Sequence, residues 1–161
     1  RLQIDPGTLT PIQAGGPEAA VLCGTTGADM ILGGDGDELV QGGSCADILG
    51  DGAGCDTLSG GADGDLFVLS ADGAYDRIAD FQLGIDRIDL SAIDAVQSVA
   101  GNQSFTFIGS AGFSAEGQVR VIQQGDNAVV IVNTSGAGGG EMAIVLANFD
   151  ASTINAADFF L

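Results

Sequence analysis

Between residues 24 and 68, polar and apolar positions return on a nine-residue beat, which is neither the 3.6 period of a helix nor the strict alternation of a strand. Cut at its glycine doublets, the chain reads GTTGADMIL (24–32), GGDGDELVQ (33–41), GGSCADILG (42–50), DGAGCDTLS (51–59) and GGADGDLFV (60–68). A weaker unit, GGPEAAVLC (15–23), precedes them. The eighth position is always large and apolar: Ile31, Val40, Leu49, Leu58 and Phe67. The sixth is acidic at Asp29, Glu38, Asp47, Asp56 and Asp65, and is Ala20 in the weak unit. Self-similarity at a fixed period is the signature of a repeat architecture.

Each column has a physical reading. Six glycine-rich residues reverse the chain, because glycine takes positive φ without a steric penalty. Three residues of strand follow, with the eighth side chain pointing inward. Two units complete one coil, and successive coils stack as parallel strands about 4.8 Å apart. The expected fold is all-β: a right-handed parallel β-roll over 15–89, after an N-terminal segment of 1–14. The seventh positions, Met30, Leu39, Ile48, Thr57 and Leu66, should face outward, with Met30, Ile48 and Leu66 stacked as an apolar stripe.

After residue 90 the beat stops. The runs SFTFIG (104–109), QVRVIQQ (118–124), NAVVIVN (127–133) and EMAIVLAN (141–148) are rich in β-branched residues and read as strands. GDN (125–127) suits a tight hairpin turn and SGAGGG (135–140) a looser one. These strands predict an antiparallel β-sandwich over 90–161.

Charge sharpens the picture. Of 22 acids, 15 lie between residues 15 and 89, against two arginines there and four in the whole chain; lysine and histidine are absent. The net charge of −18 repels nucleic acid and anionic surfaces, so neither is an expected partner. Stacking puts Asp29, Asp47 and Asp65 in one ladder and Glu38 and Asp56 in another. Carboxylates one layer apart repel by roughly 1 kcal/mol in water and by several times that when partly buried. A hard divalent cation between turns removes the repulsion, and turn carbonyls complete its shell. Flexible, oxygen-only coordination favours Ca²⁺ over Mg²⁺ or Zn²⁺.

These repeats resemble the RTX, or haemolysin-type, calcium-binding repeats. DRIADFQLGIDRIDLSAI (76–93) is similar to the segment that closes the β-roll of serralysin-type metalloproteases, and 105–133 and NAADFFL (155–161) are similar to the rest of that C-terminal domain. The resemblance implies calcium held by turn carbonyls at positions one, two and four and by the acid at six. The matching residues are Gly24, Gly27 and Asp29; Gly33, Gly34, Gly36 and Glu38; Gly42, Gly43 and Asp47; Gly52, Gly54 and Asp56; and Gly60, Gly61 and Asp65. Asp72, Asp76 and Asp86 match later ligands, giving about four or five ions. Glu38 is a methylene longer than the usual Asp. Asp51 stands at a first-position glycine, and Cys45 and Asp63 stand at fourth positions, where a side chain strains the turn.

The chemistry that is missing narrows the function. Without histidine there is no H-E-x-x-H zinc site; G-x-S-x-G, a P-loop and a Schiff-base lysine are absent too. The chain is expected to be non-catalytic. Its three cysteines, Cys23, Cys45 and Cys55, are expected to be unpaired, since Cys45 and Cys55 fall on opposite edges of the roll. No segment is long enough to cross a membrane, and a chain that starts at Arg1 reads as processed or partial. The leading expectation is a calcium-binding module of a secreted bacterial protein, extracellular or at the cell surface. It would fold on extracellular calcium after type I secretion, whose machinery would read the terminal Asp158-Phe159-Phe160-Leu161. The alternatives are a self-assembling structural or adhesive unit, and the C-terminal module of an enzyme with its catalytic domain upstream.

Overall fold

The computed structural model describes residues 10–136 and 139–161, with the backbone alone for 10–14. The nonapeptide region coils as the repeat predicts. Its strands are β1 (Thr10–Ala14), β2 (Val21–Cys23), β3 (Asp29–Leu32), β4 (Leu39–Gly43), β5 (Ile48–Gly50), β6 (Thr57–Gly61), β7 (Leu66–Val68), β8 (Tyr75–Ile78) and β9 (Arg87–Asp89). Odd and even strands fall into two different parallel sheets. In register, Met30 lies beside Ile48 and Ile48 beside Leu66; on the other sheet Leu39 lies beside Thr57. The offset is 18 residues, one coil of two units. Residues 10–14, expected to precede the roll, supply β1, which pairs in parallel with β3.

The eighth-position column forms the core. Ile31, Val40, Leu49, Leu58 and Phe67 are all fully buried, and Ile78 and Ile88 continue the column upward. The seventh-position residues are half-buried, with Met30, Ile48 and Leu66 stacked along the outside of the odd-strand sheet.

The second half joins the roll. It contains β10 (Thr106–Phe107), β11 (Gln118–Gln124), β12 (Asn127–Asn133), β13 (Met142–Leu146) and β14 (Phe159–Phe160). β11, β12 and β13 are antiparallel neighbours, and Gly125–Asp126 makes the expected two-residue hairpin loop. The looser turn expected at 135–140 lies partly outside the described residues. These strands are not stacked beside the roll as a separate sandwich. β13 pairs in parallel with β8, so they extend the even-strand sheet to eight strands, while β14 pairs in parallel with β9 and closes the odd-strand sheet at six. The physical reason is the open edge of the last coil. Its backbone N–H and C=O groups need partners, and β13 and β14 provide them. One apolar cluster therefore runs from Ile31 through Phe67 and Ile88 to Val130, Ile144 and Phe159.

Candidate metal centre

The turns between strands build two edges. On the first edge, the turns entering β3, β5, β7 and β9 carry Asp29, Asp47, Asp65 and Asp86. On the second, the turns entering β4 and β6 carry Glu38 and Asp56, and the start of β8 carries Asp76. All seven are buried. Sequence spacing had placed the five repeat acids in two ladders, and the structure adds Asp86 and Asp76 as their upper rungs.

Hydrogen bonds show how the rungs are locked. The Asp29, Asp47 and Asp65 backbone N–H groups donate to the Oδ1 atoms of Asp47 (2.8 Å), Asp65 (2.9 Å) and Asp86 (3.0 Å). On the second edge, Glu38 N–H donates to Asp56 Oδ1 (2.7 Å) and Asp56 N–H to Asp76 Oδ1 (3.1 Å). Thus each upper carboxylate spends one oxygen on the coil below. The other oxygen is left over. Asp47 Oδ2, Asp56 Oδ2, Asp65 Oδ2, Asp76 Oδ2 and Glu38 Oε1 are buried without a hydrogen-bond partner. At the ends the rungs close on their own turns: Thr25 donates to Asp29, Gly34 N–H to Glu38 Oε2 (2.9 Å) and Gln82 N–H to Asp86 Oδ2 (2.8 Å).

Backbone carbonyls converge on the same places. A Cβ added to Gly42 would collide with Asp47 Oδ2 and lie 2.6 Å from the Gly60 carbonyl. One added to Gly24 would collide with the Gly42 carbonyl and lie 2.8 Å from Asp29 Oδ2. First-position glycines thus leave a cradle where a carboxylate oxygen and a carbonyl oxygen meet. Gly52 and Gly54 have a further need: both sit at positive φ, directly over the carbonyls of Gly34 and Gly36. Cys45 and Asp63 also adopt positive φ, 72° and 75°, so these two fourth positions hold the strained conformation anticipated for them. Among the second-position carbonyls, Gly34 O already accepts from Ala53 N–H (2.7 Å) and Gly43 O from Ala62 N–H (3.0 Å), which leaves each one lone pair.

Burial makes these carboxylates poor acids to ionise. It pushes Asp47, Asp51 and Asp56 up to about 6, and Asp65 and Asp76 up to about 7; Asp86 is raised as well. Backbone hydrogen bonds offset part of the burial effect, and neighbouring carboxylates add to it. A set of orphaned carboxylate oxygens beside carbonyls is the donor chemistry of Ca²⁺. Among the described residues no three His, Cys, Asp or Glu side chains gather around one point, so such a cation relies on carbonyls as well as on acids.

Asp72 differs from the other acids. It is exposed, and its carboxylate accepts from Gly54 N–H (2.7 Å) and Ala74 N–H (2.9 Å). Two acids were not among the ligands expected from the sequence. Asp80 accepts from Ser59 Oγ (2.6 Å), Gly60 N–H (2.9 Å) and Gly61 N–H (3.0 Å), capping the first edge. Asp51 is buried and accepts from Gly52 and Ser70 N–H groups. The period alone could not find Asp80, because the loop from β8 to β9 is longer than a repeat turn. All three cysteines are exposed and free.

The fold has solved counterparts. The AlgE6R2 subunit of the Azotobacter vinelandii mannuronan C5-epimerase superposes with a TM-score of 0.69 at 25% identity, covering 94% of this chain and 92% of that one. The AlgE6R3 subunit of the same enzyme gives 0.63 at 29% identity, covering 89% and 78%. No curated protein matches the chain. The Peptidase M10 serralysin C-terminal family matches residues 18–160. With that match spanning both the acid ladders and the strands that close them, the chain belongs to the serralysin C-terminal family and is an RTX calcium-binding β-roll protein.

Proposed function

We propose that this chain is a non-catalytic carrier module whose folding is driven by extracellular calcium after type I secretion. One observation carries the reading: five buried carboxylate oxygens lack a hydrogen bond, all on the two acid ladders. In cytosol, where calcium is scarce, ionised ladders resist burial and the chain stays open enough for a narrow export channel. Outside, calcium fills the intervals between rungs. Five such intervals exist, marked by the five rung-to-rung hydrogen bonds.

Gly24, Gly33, Gly42 and Gly60 would contribute carbonyls, and Asp47, Asp56, Asp65, Asp76 and Glu38 their free oxygens. Calcium titration by calorimetry is expected to count about four or five ions. Uptake of one ion or none would overturn the reading.

A second reading concerns the parent protein. The family is a C-terminal region of serralysin, and both solved counterparts are subunits of an epimerase. These relationships favour a module attached to a secreted enzyme whose catalytic domain lies upstream. The full coding sequence tests it.

Glu38 provides an independent check on the ladder. Its extra methylene has more rotamer freedom to lose than an aspartate has. Glu38→Asp is expected to tighten one calcium site on the second edge about threefold to tenfold, within the range of one charge-assisted hydrogen bond. An unaltered calorimetric titration would remove Glu38 from the ligands.

A further inference from the structure

The outside of the odd-strand sheet has a second row beside the Met30–Ile48–Leu66 stripe. It reads Leu32, Gly50, Val68 in register. Gly50 interrupts it. A glycine within a strand is destabilising, and often marks a place where something else approaches. No local demand explains this one. Its φ is not positive, and an added Cβ would meet only Leu32 Cδ2 within 3 Å, with every other neighbour at 3.8 Å or more. Leu32 is 45% exposed and free to swing aside.

Beside this glycine lies an open hollow of about 470 Å³, with Gly50 in its floor and Leu32, Val68 and Ile93 among its walls. Ligand pockets typically span about 300–1,000 Å³. Two of the side-chain donors in the lining are already engaged with the protein. Ser70 donates from N–H to Asp51 and from Oγ to the Gly52 carbonyl. Gln97 Nε2 donates to Thr134 Oγ1 at 3.2 Å. What remains open is acceptor capacity: Gln97 Oε1, Asp94 Oδ2 and the second lone pair of Asp51 Oδ2, which accepts from Ser70 N–H alone. Among the described residues the one ion pair is Arg87 with Asp158, so neither Asp51 nor Asp94 has a cationic partner.

We propose that this cavity binds a small amphiphilic organic cation, an alkyl- or arylammonium. Its hydrocarbon would fill the space over Gly50, and its N–H groups would reach Asp51, Asp94 and Gln97. An anion would meet two carboxylates, and a neutral ligand would leave both without a counter-charge.

The test uses the full chain with calcium kept saturating, and n-hexylammonium as the probe. The methyl resonances of Leu32, Val68 and Ile93 should shift saturably, at a concentration at least about tenfold below that needed by n-hexanol. Hexanoate and matched sodium chloride should leave them in place. Gly50→Leu should abolish the shifts while calcium uptake stays unaltered. Gln97→Lys, which carries its own ammonium to the rim, should do the same if Gly50→Leu fails to fold. Equal binding of hexanol, shifts confined to other methyls, or a Gly50→Leu protein that binds like the parent would each overturn the proposal. So would methyls that respond to protein concentration instead of probe, which would give the cavity to a second copy.

Discussion

Removing calcium is expected to unfold the whole chain, not the repeats alone. Extracellular calcium modules bind with Kd of about 10⁻⁴–10⁻³ M. At tenfold excess each site adds roughly 1.4 kcal/mol, so five sites add about 7 kcal/mol. That is comparable with the total stability of a typical domain, about 5–15 kcal/mol. The antiparallel strands should go with the roll because they have no sheet or core of their own. β13 takes its outer partner from β8, and Ile144 and Phe159 sit in the same apolar cluster as Phe67. Far-UV circular dichroism in excess chelator at pH 7.5 checks this. The β signal should collapse in one transition and return when calcium is restored. A β signal that survives chelation would show that the ladders tolerate their buried charge without the ion. Loss of half the signal would show that the antiparallel strands fold independently.

The roll was legible in the sequence because everything in it is local. One nine-residue unit contains its own turn, its acid and its core side chain, and repetition fixes the register of the rest. Asp29, Asp47 and Asp65 could therefore be stacked on paper, and Ile31, Leu49 and Phe67 placed inside. The upper end was not legible in the same way. Whether β13 would pair with β8, or fold away as a separate sandwich, depends on contacts between segments about 70 residues apart. A strand's own pattern says which face is apolar but not which open edge it will meet. Asp80 was hidden for a related reason. Its three hydrogen bonds go to a turn about 20 residues earlier, across a loop whose length departs from the repeat. Gly50 was visible all along as a ninth-position residue, yet the sequence offered no way to tell an unneeded strand glycine from a turn glycine. Only its ordinary φ and the lack of any backbone atom close to a Cβ position separate the two.

The raised carboxylates give the second large effect, and its sign reverses with calcium. Without the ion, Asp47, Asp56, Asp65 and Asp76 hold protons more tightly folded than unfolded, because burial lifts them to about 6 or 7 from the ordinary 3.8. Stability then falls as pH rises from about 4 to about 7, and the penalty is fully present above that window. The calcium-free protein should accordingly be most stable in mild acid. With calcium bound, the same oxygens must be ionised, so affinity weakens as pH drops through 7 and 6. Urea midpoints measured with and without chelator across this range should run in opposite directions. Asp65→Asn isolates the cause at a single rung. Its amide oxygen can still accept the Asp47 N–H, but it carries no charge to bury. In chelator at pH 8, where the parent unfolds, the variant should retain more of the folded β signal. In calcium it should be less stable, by about 3 kcal/mol at tenfold excess, since Asp65 borders two intervals of the first ladder. A variant destabilised under both conditions would mean that Asp65 matters for packing and not as a carboxylate waiting for a cation.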